Sequence, residues 1–128
     1  MRPVVVLVMS SSEASQLSRT IEELGYSVRL ATGIDETAEL LDDPEPIAIL
    51  SELALPDGNW RDLVARVRSQ KPSVPVVLCS RSGTAELWWD ALENGVSEIL
   101  VLPVQTSDLK RVISDLKPVL AFESSAIK

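Results

Sequence analysis

Five short apolar runs punctuate this chain, at Val4–Val8, Val28–Ala31, Ile47–Leu50, Val76–Cys79 and Ile99–Leu102, and a segment with helical spacing follows each. Parallel strands need a crossover element between them, and a continuously apolar strand has no face left for water. The alternation therefore predicts a parallel sheet with helices on both sides, a (βα)₅ doubly wound α/β domain. The second run is interrupted by Arg29 between Val28 and Leu30, which marks a half-exposed edge strand.

The helical stripes are legible by period. Ala14, Leu17, Ile21 and Leu24 share one face, and Gly25 follows at the C-cap position. Ile34, Ala38 and Leu41 form a second stripe, stopped before Asp43-Pro44. Trp60, Leu63, Val64 and Val67 fall at i, i+3, i+4 and i+7, with Asn59 as N-cap. Trp88, Ala91 and Leu92 make a shorter stripe ending at Asn94-Gly95. Leu109, Val112, Ile113 and Leu116 make the last, capped by Thr106 or Ser107 and discouraged from extending by Pro118. Residues 1–120 are expected to form one domain and 121–128 a loose tail. In such a sheet the functional crevice lies at the carboxyl ends of the strands, here Met9–Ser11, Ser51–Asp57, Ser80–Gly83 and Leu102-Pro103.

Composition narrows the function. A chain of 128 residues holds one domain with a real core. Its net charge of −7 and scattered Lys and Arg argue against nucleic acid as a partner. The run Val4–Met9 is too short to span a membrane, so a cytoplasmic protein with no membrane partner is expected. A single Cys79 forms no intramolecular disulfide, and the absence of His removes the commonest general base and zinc ligand. There is no phosphate-cradling glycine loop and no metal cluster, so neither an independent enzyme nor a cofactor is expected.

Five segments resemble, in order and at matching spacing, the receiver domains of response regulators. They are Glu22–Val28, Leu55-Pro56-Asp57-Gly58, Pro75–Ser80, Ala91–Val96 and Leu102-Pro103. The resemblance implies a CheY-like, flavodoxin-like fold with strand order 2-1-3-4-5. It further implies a phospho-accepting Asp, an acidic pair that holds Mg²⁺ with it, and a Ser/Thr and a Lys that contact the new phosphate. Here the acceptor position is Glu52. The acidic pair falls on Val8-Met9, or on Met9-Ser10 with one inserted residue, and the Lys is Leu102 before a proline that the family holds in cis. Ser80 alone matches outright.

The leading expectation is a degenerate pseudo-receiver: a phosphorylation-independent module that binds a protein partner or a second copy of itself. Glu52 would serve as a fixed charge reaching Ser80, or lie solvated at the crevice rim. Two alternatives stand beside it. One is a phospho-acceptor with an unusual pocket of Glu52 and Ser80, which a swung-in Glu13 would extend. The other is a small-molecule sensor using the apolar crevice of Val8, Met9 and Leu102. Turn chemistry explains Asp57, core packing explains Trp60, and Cys79 reads as a buried strand residue. Adjacent helical residues point about 100° apart, so Trp88 and Trp89 do not both enter the core. The resemblance places them, with Leu100 and the helix Leu109–Leu116, on the family's docking face.

Overall fold

The computed structural model describes residues 2–116, and the expected tail lies outside the described residues. The elements are β1 (Val4–Val8), α1 (Glu13–Glu23), β2 (Ser27–Ala31), α2 (Ile34–Glu39), β3 (Ala48–Ser51), α3 (Trp60–Gln70), β4 (Val76–Ser80), α4 (Ala85–Glu93), β5 (Glu98–Val101) and α5 (Thr106–Asp115). The five strands form one parallel sheet in the order β2-β1-β3-β4-β5. This is the arrangement implied by the resemblance.

Strand alternation divides the core in two. Val6, Val8, Ile49 and Leu78 face the layer of α2, α3 and α4, where Ile34, Leu63, Val67 and Ala91 meet them. Val5, Leu7, Leu50, Val77 and Cys79 face the other layer, where Leu17 and Ile21 of α1 and Leu109, Val112 and Ile113 of α5 cover them. Strand β2 is the expected half-exposed edge, with Leu30 at 56% exposure.

Local signals act as sequence chemistry dictates, with three differences. Asn59 caps α3: its side chain accepts the N–H groups of Arg61 and Asp62, and Asp62 accepts the N–H of Asn59 in return. Helix α5, however, starts at Thr106 itself. Its N-cap is Gln105, which makes no side-chain cap bond, so Thr106 and Ser107 are first-turn residues and not caps. The inward stripe of α4 also turns. Leu87, Trp88 and Ala91 pack on the core, while Leu92 is 51% exposed. Third, Ala54–Leu55 and Gly58–Asn59 pair as a short antiparallel hairpin around Pro56-Asp57.

That hairpin gives Asp57 a task beyond its turn. Helix α2 begins at Gly33, which has no side chain to cap it, and Asp57 reaches across to do so. Its Oδ1 accepts the Ile34 N–H at 2.9 Å and its Oδ2 the Asp35 N–H at 3.1 Å. Gly33 makes room: a Cβ there would lie 2.5 Å from Asp57 Oδ1.

The N–H groups of Ile34 and Asp35 hold the Asp57 carboxyl below its ordinary 3.8. A depressed carboxyl stabilises the fold fully above its unfolded value and loses that contribution as pH falls through the folded one. Asp57→Ala should therefore lower the urea midpoint near pH 7 with an unchanged m-value, and its deficit against wild type should shrink as pH falls below about 3.8. Gly33→Ala should reproduce the deficit, and the double variant should lose little more, since both disrupt one cap. Additive losses in urea melts would exclude the shared cap.

Candidate functional site

The crevice is built by register. Val8 pairs with Ser51, and the Glu52 N–H donates to the Val8 carbonyl at 3.1 Å, extending the β1–β3 ladder one step. The chain leaves both strands there, so Ser10 and Glu52 emerge side by side. Glu52 Oε2 accepts the Ser10 N–H at 2.9 Å and the Ser10 hydroxyl at 3.2 Å. Of the two placements of the acidic pair, the one ending on Ser10 thus contains the neighbour of Glu52. Val8 and Met9 are turned inward, 0% and 3% exposed.

Ser80 ends β4 but does not bond Glu52 as the fixed-charge idea required. Its hydroxyl donates to the Ser82 carbonyl at 2.9 Å and accepts the Ser82 N–H at 3.2 Å. A hydroxyl two residues from a free backbone pair finds that partner first, which is ordinary turn chemistry. Glu13 does not swing inward either. It occupies the first turn of α1, where the helix dipole favours it, and its carboxylate meets the Arg81 guanidinium at 2.6 Å. Arg81 lies within the crevice segment Ser80–Gly83, where the sequence alone assigns it no role. Its signal was a cation directly after Ser80 in a chain that carries Leu at the lysine position.

Leu102 is half-buried against the α1–α5 layer, and the Leu102-Pro103 peptide is cis as the resemblance implies. Beside it lies a cavity of about 60 Å³ lined by Glu13, Gln16, Leu17, Thr20, Pro103 and Val104. Small-molecule pockets run to ~300 Å³ and above. With Val8 and Met9 in the core, the apolar crevice expected for a ligand sensor is not formed.

The donor set does not suit Mg²⁺, which binds in near-octahedral oxygen geometry through one or two available carboxylates while keeping several waters. The two carboxylates at the crevice are both engaged: Glu52 has an oxygen accepting two hydrogen bonds from Ser10, and Glu13 is paired with Arg81. Among the described residues no group of three or more His, Cys, Asp or Glu side chains is placed to hold a metal.

The docking-face residues separate. Trp89 is 70% exposed and shares a face of α4 with Leu92, three residues on, whereas Trp88 is half-buried against the core. Leu100 is a correction: at 4% exposure it belongs to the core, because strand alternation turns it toward the α1–α5 layer. Its successor Val101 is the outward residue, at 49%. Trp60 is buried as expected, with the Arg61 guanidinium 4.7 Å from its ring centroid.

Cys79 is enclosed beneath this crevice. Burial, reinforced by the nearby negative charges of Glu52 and Glu13, pushes its thiol up to about 12 from 9.0. At pH 8 its reaction with an aromatic disulfide should be slower than that of the unfolded chain by about tenfold or more, because less of the thiol is ionised and the sulfur is enclosed. Fast labelling of the native protein would contradict the burial.

Comparison with known proteins comes to the same geometry from outside. The response regulator receiver domain family matches residues 8–114. The chain is 29% identical over 99 residues to the response regulator protein PilR of Pseudomonas aeruginosa, covering 77% of this chain and 22% of that one. It spans about a fifth of the length of the first curated relatives it matches. Among solved structures, the signal receiver domain of an HD domain-containing protein from Pseudomonas fluorescens Pf-5 superposes with a TM-score of 0.78 at 25% identity, covering 88% of this chain and 85% of that one. The Vibrio cholerae chemotaxis protein CheY4 gives 0.78 at 22%, covering 89% and 97%, which speaks for the fold alone.

Proposed function

The chain belongs to the response regulator receiver domain family, the signalling module of two-component systems, and on that footing we propose that it acts as a phosphorylation-independent interaction module. The observation that carries this reading is the Glu52 carboxylate bonded to Ser10, at the position where the family keeps its acceptor and metal ligands. Ser80 is engaged with Ser82 and Glu13 with Arg81, while the buried Ser11 hydroxyl has no hydrogen-bond partner among the described residues. A phosphoryl donor would meet no free carboxylate pair to gather the metal and no lysine at Leu102 to neutralise the developing charge.

The working surface in this reading is Trp89, Leu92 and Val101, on α4 and the end of β5. An exposed tryptophan with an exposed leucine beside it has the make-up of a binding hot spot, and its partner is a protein, either a signalling protein or a second copy. The acidic chain favours neither nucleic acid nor an anionic membrane, and no helix among the described residues is long and apolar enough to cross a bilayer. A cytoplasmic setting fits this reading.

Adding Mg²⁺ and then beryllofluoride should leave the amide spectrum unchanged; shifts at Ser10, Glu52, Ser80 and Gly83 would restore a phospho-accepting pocket and overturn the proposal. Trp89→Ala should weaken binding to a partner at least tenfold or abolish self-association in light scattering, while leaving the urea midpoint near wild type. Undiminished association would move the working surface elsewhere.

A further inference from the structure

The β4–α4 loop, Arg81–Thr84, is held by three polar attachments. The Ser80 hydroxyl closes its ring with Ser82, and the Thr84 hydroxyl accepts the Leu87 N–H at 3.1 Å to cap α4. Both are local to the loop and its flanks. The third crosses the crevice: Arg81 reaches the Glu13 carboxylate at 2.6 Å over 68 residues of sequence. Glu13 is fixed on the opposite wall with its side chain 26% exposed, whereas the Arg81 side chain is 69% exposed and free to leave. Among the described residues neither has another ion-pair partner.

We infer that the Glu13–Arg81 pair is an ionic latch that holds the β4–α4 loop closed across the crevice mouth, and that opening it loosens the loop and the first turn of α4. The loop lies directly against the helix side chains. A Cβ on Gly83 would fall 3.1 Å from Val101 Cγ2 and 3.7 Å from Trp88 Nε1. Movement of the loop therefore changes the surroundings of the Trp88 indole. The latch is soft by nature, because an exposed ion pair is weak and screened by salt. It is a device by which ionic strength, or a charged group entering the crevice, alters loop order without covalent modification. It stands apart from the question of what the Trp89 face binds.

Amide hydrogen exchange of the full chain tests it, with Glu13→Gln, Arg81→Gln and the double variant. Each single variant should speed exchange at the hydrogen-bonded amides of Ser82, Leu87 and Trp88 roughly two- to fivefold, the range an exposed pair supports. The double variant should go no further, and 1 M NaCl should reproduce the effect in wild type but not in the double variant. Amides of β1 and β3 and the urea midpoint serve as controls that the variants are folded. Unchanged loop exchange in either single variant, or effects that sum in the double, would overturn the latch.

Discussion

The parallel pairing of β1 with β3 is the constraint on which the rest of this molecule hangs. Strand β1 is buried along its whole length and is paired on both sides, so its register admits no slip. A shift of one residue would send Val6 and Val8 into the α1–α5 layer and Val5 and Leu7 into the other, exchanging two fitted cores. With Val8 fixed opposite Ser51, the residues that follow each strand have no choice of neighbour. Ser10 and Glu52 meet because the ladder ends where it does, and the Glu52 N–H adds its last rung.

What occupies that meeting point decides the electrostatics of the crevice. A receiver with three carboxylates there carries like charges that repel until a cation gathers them. In this chain apolar Val8 and Met9 sink into the core, and a hydroxyl and an amide of Ser10 solvate Glu52. The second nearby acid, Glu13, is answered by Arg81 from the loop after β4, and not from the position of Leu102 after β5. The counter-charge has moved by one strand. A lysine after β5 would approach the crevice from α5, whereas Arg81 ties the loop leading into α4.

Sequence made the sheet legible because burial on both faces leaves continuous apolar runs, and five of them appear. It read Arg29 correctly as an edge signal. It could not read faces within those runs: Leu100 and Val101 are equally apolar, and only the packed layers tell which one is inside. The site shows the same division. Glu52, Ser80 and Leu102 were visible as positions because they sit at strand ends, but their bonds were not. The Ser10–Glu52 contact spans 42 residues, the Asp57 cap 23 and the Glu13–Arg81 pair 68. Periodicity and capping rules reach about one turn along the chain, so these links belong to tertiary structure and were beyond them. Thr106 and Ser107 failed for a related reason. Capping preference ranks residue types without fixing where a helix starts, and α5 starts one residue earlier than a Thr106 cap would have it, with Gln105 as its N-cap.

Helix α4 gathers these threads. Its inward face is modest, with Ala91 fully buried and Leu87 and Trp88 only partly so, while its outward face carries Trp89 and Leu92. Burial therefore anchors it less firmly than α3, where Trp60, Leu63, Val64 and Val67 are all inside. A helix with a thin core contact depends more on its ends. At one end the Thr84 cap leads through Arg81 to α1; on its flank Asp90 pairs with Arg61 of α3. Exposed pairs of this kind contribute little each, so the element bearing the largest apolar surface is also the one whose placement small charge effects can bias. In a receiver that function normally falls to a phosphate. Here the Glu13–Arg81 pair supplies a polar link from the crevice mouth to the loop that leads into α4.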